Sequence, residues 1–99
     1  MIVGRVVGSV VSTVKHPAYA STKLLLVRPV SMDGVEEGPE MVCVDTVGAG
    51  AGELVLVCKE GAAARQVLRK KHAPVRSLVI GIVDHVEAAD GRRMIDGRE

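Results

Sequence analysis

The chain has 99 residues, with 13 Lys and Arg against 12 Asp and Glu. That is the length of one domain, and its near-zero charge argues against a phosphate-backbone binder or an attraction to anionic membranes. It is 47% hydrophobic but has no Phe, no Trp and one tyrosine, Tyr19, so its core must be aliphatic and base stacking on exposed aromatics is a poor match.

A small domain built from Val, Leu, Ile, Ala and Met gains by covering its faces with further copies of itself, so an oligomer is expected. No run is long enough to span a bilayer and no signal-peptide layout is present, which makes the cytoplasm the expected location.

In chain order, Ile2 to Val14 is valine-rich, with Gly4 and Gly8 inside it. Its composition suits a bent strand better than a helix, and either glycine can mark a bulge or corner. His16-Pro17 breaks the pattern. Lys23 to Val30 is a nearly continuous apolar strand. Ser31 to Pro39, with Asp33-Gly34, two glutamates and Gly38, reads as a polar surface loop.

Met41 to Val47 and Leu54 to Val57 are strands on either side of a Gly/Ala run, Gly48-Ala49-Gly50-Ala51-Gly52, that closes on Glu53. Glycine lets another surface approach without a Cβ in the way, so this loop is expected to meet a partner at its tip. Residues 61–68 carry the one helix signal, alanine-rich and short. The basic run Arg69-Lys70-Lys71-His72 reads as a solvated connection. Ser77 to Glu87 is the last strong strand, and Ala88 to Glu99 is a charged tail that either frays or folds back as an arm on a neighbour. About five strands at this spacing, with a short helix between the fourth and fifth, predict a small barrel whose closure removes exposed edges.

Most candidate chemical motifs dissolve on inspection. The glycines at 48, 50 and 52 do not fit G-x-G-x-x-G, and a strand follows where a dinucleotide site needs a helix. A P-loop ending is missing too. Cys43 and Cys58 lie in apolar strands without C-x-x-C spacing and read as buried free thiols. Together with His16, His72 and His85 they offer no zinc-finger spacing, so neither a metal nor a cofactor is expected. Asp45, Glu53 and Asp84 are carboxylates in apolar context, expected to accept backbone N–H bonds at strand ends or across a subunit boundary. No acid–base or nucleophile constellation points to an enzyme.

Several segments occur in an order that carries a resemblance: Gly4-Arg5-Val6-Val7-Gly8-Ser9-Val10-Val11, Lys23-Leu24-Leu25-Leu26-Val27, Val44-Asp45-Thr46-Val47-Gly48-Ala49-Gly50-Ala51-Gly52-Glu53, Gly61-Ala62-Ala63-Ala64-Arg65 and Ile80-Gly81-Ile82-Val83-Asp84. Over residues 1–87 the chain resembles the pentameric vertex proteins of bacterial microcompartments, the family of the carboxysome and ethanolamine-utilisation shell pentamers.

The resemblance implies a five-stranded, OB-like β-barrel with one short α-helix, assembled as a cyclic homopentamer that caps fivefold vertices of a shell whose facets are hexamers and pseudohexamers. It implies a structural and not an enzymatic role, with Gly48 to Gly52 near a central opening. Five glycine loops there would form either a plug or, through their backbone N–H groups, an anion-attracting concavity. Asp45, Glu53, Arg65 and Asp84 are the expected interface residues, Arg65 through a hydrogen bond to a neighbouring carboxylate or carbonyl.

The chain departs from the family where Gly-Ser-Ser-Ala-Arg is replaced by Gly61-Ala62-Ala63-Ala64-Arg65, and the tail 88–99 lies beyond the motifs. The alternative reading is an OB-like module binding a small ligand or nucleic acid.

Overall fold

The structure, a computed structural model, describes residues 1–10, 23–59 and 77–97. Seven strands run in chain order: β1 Ile2–Val10, β2 Lys23–Pro29, β3 Met41–Asp45, β4 Leu54–Cys58, β5 Leu78–Val83, β6 His85–Glu87 and β7 Arg93–Asp96. The first five close into a barrel in the order β1-β2-β3-β5-β4, and β6 and β7 form a separate two-stranded hairpin. No helix occurs among the described residues; the expected helix at 61–68, with Arg65, lies outside them.

The barrel strands pair antiparallel except where β3 meets β5, Val44 opposite Leu78 and Asp45 opposite Val79. In β1 the register against β2 shifts between Val6 and Gly8. Of the two glycines expected to mark a bulge, it is Gly8 that does so: one extra residue, Val7, is left out of the ladder, and it stands exposed.

Period-two alternation turns Val6, Leu25, Val27, Cys43, Val55, Val57 and Val79 into one buried aliphatic cluster. A second cluster forms around Val3, Val30, Leu54 and Ile95, with Met94 and Val86 of the hairpin packed against it. Both clusters are aliphatic, as the absence of Phe and Trp requires. Gly4 is needed where β1 crosses β2, since a Cβ there would lie 2.5 Å from Val27 Cγ1.

The last strand foreseen in the sequence, 77–87, is broken at Asp84 into β5 and β6. Strand β7 was not foreseen. It pairs with β6, Val86 opposite Ile95, and buries Ile95 against its own barrel, so residues 93–96 have an anchor within their own subunit.

Candidate assembly site: the glycine loop

Strands β3 and β4 deliver the two ends of the loop formed by residues 46–53, and the carboxylates at those ends hold it. Asp45, the last residue of β3, accepts at Oδ1 from the N–H groups of Val47 (3.0 Å) and Gly48 (3.1 Å). Its side chain is 2% exposed, and the Lys23 ammonium lies 4.0 Å from Oδ2. A short carboxylate bonding its own backbone two and three residues on is what fixes such a turn. Thr46 donates its hydroxyl to the Val79 carbonyl at 2.6 Å, tying the loop's first residue to β5.

At the far end Glu53 reaches back. Its Oε1 accepts from Gly50 N–H at 2.7 Å, while its own N–H donates to the Gly50 carbonyl at 3.2 Å. Gly52 N–H donates to Val6 O at 2.8 Å, and Val6 N–H to Glu53 O at 2.9 Å. Gly48 and Gly52 have φ of +77° and +86°, left-handed angles that disfavour any residue with a Cβ. Glycine is required there by the path of the chain.

The five residues expected at a central opening are not alike. Ala49 is fully buried and belongs to the barrel cluster with Val6, Leu25 and Val55. Gly48 and Ala51 are exposed, and Gly50 and Gly52 are half-buried. The loop therefore stoppers its own barrel with Ala49 while Gly48 and Ala51 stand outward. An anion-attracting concavity finds little support, because the N–H groups of Val47, Gly48, Gly50 and Gly52 already donate within the chain.

Asp84 contributes through its backbone, its carbonyl accepting from Gly97 N–H at 2.8 Å. Cys43 and Cys58 are buried free thiols. Burial pushes the Cys43 thiol up to about 11, with Lys59 pulling the other way. Among the described residues no group of three His, Cys, Asp or Glu is placed to hold a metal; His16 and His72 lie outside them.

Two residues of the site were missed in the sequence. Lys23 donates to the Ala49 carbonyl at 3.0 Å, and Arg5 donates from Nη1 to the Gly52 carbonyl at 3.1 Å and from Nη2 to the Asp96 carbonyl at 3.1 Å. The available signals were slight: Lys23 stands directly before the apolar run Leu24 to Val27, and Arg5 is the one charge in Ile2–Val10.

The family model described as "Ethanolamine utilisation protein EutN/carboxysome" matches residues 1–84. The bacterial microcompartment shell vertex protein GrpN of Rhodospirillum rubrum is 44% identical over 90 residues, covering 91% of this chain and 100% of the relative. Its solved structure, a pentameric microcompartment shell protein, superposes with a TM-score of 0.79 over 90% of this chain and 100% of that one. The structure of CcmL from Gloeobacter violaceus superposes with a TM-score of 0.85 at 41% identity, covering 97% of each chain. Barrel and sequence agree, and the chain belongs to the EutN/carboxysome family.

Proposed function

We propose that the chain is a structural shell protein that assembles as a homopentamer and caps the fivefold vertices of a bacterial microcompartment in the cytoplasm. The observation that carries this reading is the glycine loop, held from both ends by Asp45 and Glu53, on a barrel that superposes on a pentameric microcompartment shell protein. Its work is geometric: a flat hexagonal sheet cannot close, and a ring of five supplies curvature. A contact that joins two different faces of the same subunit closes into a ring when its rotation from copy to copy divides a full turn.

Val7, Val42 and Ile82 are exposed strand valines and isoleucine that supply apolar area for the subunit contacts. Arg65 and Asp84 contribute polar contacts between subunits, and the loop Gly48 to Gly52 lies towards the central axis with Ala49 turned back into its own barrel. Hexameric shell proteins are the partners at the rim; neither nucleic acid nor membrane enters the reading. The carboxylates of Asp45 and Glu53 serve the loop and are given no catalytic task.

Co-expression with hexameric shell proteins, followed by electron microscopy, tests the vertex role. Closed polyhedra are expected when the chain is present, and open or elongated shells when it is omitted. Equal closure in both cases contradicts the reading.

A further inference from the structure

The C-terminal hairpin and the glycine loop are separated in sequence by β4 and β5, yet two structural links join them. Leu54, the first residue after the loop's end, donates its N–H to the Gly97 carbonyl at 2.8 Å. Beside this bond, the Arg5 guanidinium spans from the Gly52 carbonyl in the loop to the Asp96 carbonyl next to Gly97. Gly97 itself is seated by its N–H on Asp84 O at 2.8 Å, in a place where a Cβ would lie 2.4 Å from the Asp84 and Val83 carbonyl oxygens. The hairpin begins at His85, immediately beyond the segment 1–84 that the family model matches.

We propose that Arg5 is a positioning residue that couples the glycine loop to the C-terminal hairpin, so that the seating of the hairpin sets the mobility of the loop. The planar fork of arginine is suited to the task, because one rigid group donates to two carbonyls at once and lysine has a single nitrogen on a flexible stem. The loop's own bonds, at Asp45 and Glu53, define its shape; Arg5 and Gly97 fix that shape to a second element. Within a vertex, which rests on the function proposed above, any contact made on the hairpin is passed to the loop through these bonds. The coupling itself is a property of one protomer and holds for any number of copies.

Hydrogen exchange by mass spectrometry on the full-length protein tests it, comparing the wild type with Arg5→Ala, Arg5→Lys, Gly97→Ala and the Arg5→Ala/Gly97→Ala double variant. Native mass spectra of each variant keep loss of assembly separate from loss of coupling. A charged hydrogen bond lost at the loop corresponds to roughly tenfold faster opening. Arg5→Ala and Gly97→Ala should each speed exchange across residues 48–53 by about that factor, with β2 and β3 unchanged. The double variant should go little further, and Arg5→Lys should resemble Arg5→Ala. If Gly97→Ala loosens only 93–97, if the two effects multiply fully, or if Arg5→Lys exchanges like the wild type, the coupling is overturned. Should Gly97→Ala fail to fold, the Arg5 pair of variants still decides, because exchange at 93–97 and at 48–53 must rise together in Arg5→Ala.

Discussion

Glu53 closes the loop that it ends: its Oε1 lies 2.7 Å from the amide nitrogen of Gly50, three residues back. A carboxylate accepting a backbone N–H is one of the stronger hydrogen bonds available to a surface loop. Replacing Glu53 by Ala leaves that amide without its acceptor and is expected to cost about 1–3 kcal/mol. Glu53→Gln keeps an oxygen at the same reach and should recover most of it. Urea unfolding followed by circular dichroism measures both. Equal stability of Glu53→Ala and the wild type would show that the bond carries no weight.

The glycines should separate into three classes. Gly48→Ala must hold a φ of +77°, a strain of about 1–2 kcal/mol, although space around it is open. Gly4→Ala meets Val27 Cγ1 at 2.5 Å and Arg28 O at 3.1 Å; overpacking of this kind costs about 1–3 kcal/mol. Gly8→Ala meets nothing within 4 Å and has no left-handed angle, so its effect should stay within about 0.5 kcal/mol. Thermal melts of the three variants rank them, and a Gly8→Ala as damaging as Gly4→Ala contradicts the geometry.

Ile95 is 6% exposed against Val3, Val30 and Leu54. Its truncation to alanine opens a cavity between hairpin and barrel and should destabilise by about 2–5 kcal/mol. Limited proteolysis should then cut first within residues 85–97. Cleavage unchanged from the wild type would mean that the hairpin is not held by this contact.

Burial raises the Cys43 thiol from 9.0 to about 11. The folded protein therefore holds this proton when the unfolded chain has begun to release it. The associated stability is fully present below pH 9.0 and is lost as the pH rises towards about 11. In a Cys58→Ala background, Cys43 should resist thiol reagents at pH 8 until denaturant unfolds the barrel, and the urea midpoint should fall between pH 9 and pH 11 more than in the Cys43→Ala/Cys58→Ala protein. An equal fall in the two proteins contradicts the assignment.

How much of this was legible in the residues depends on the range of the interaction. The β-branched and apolar runs of β1 to β5, a bulge at one of the two glycines of β1 and the backbone bonds of Asp45 at its strand end are local patterns, and local patterns are written in order along the chain. The site's cross-links are not. Arg5 meets Gly52 across 47 positions and Asp96 across 91, and only the barrel's register brings them together. Ala49 shows the same limit at short range: in a run of alternating Gly and Ala nothing distinguishes the alanine that turns inward from Ala51, which stays exposed. Strand β7 was hidden because Arg93-Met94-Ile95-Asp96 offers one buried residue among charged neighbours, too little for a strand signal. The break at Asp84 was hidden by the apolar run Leu78 to Val83 that leads into it, with Val86 beyond suggesting that the strand continues.

The central claim is that the chain closes into a ring of five. Native mass spectrometry of the purified full-length protein across a dilution series measures this directly, because an assembly's population follows protomer concentration. The account predicts a dominant species of five subunits that gives way to smaller ones only at low concentration. A monomer or dimer persisting at high concentration would contradict it.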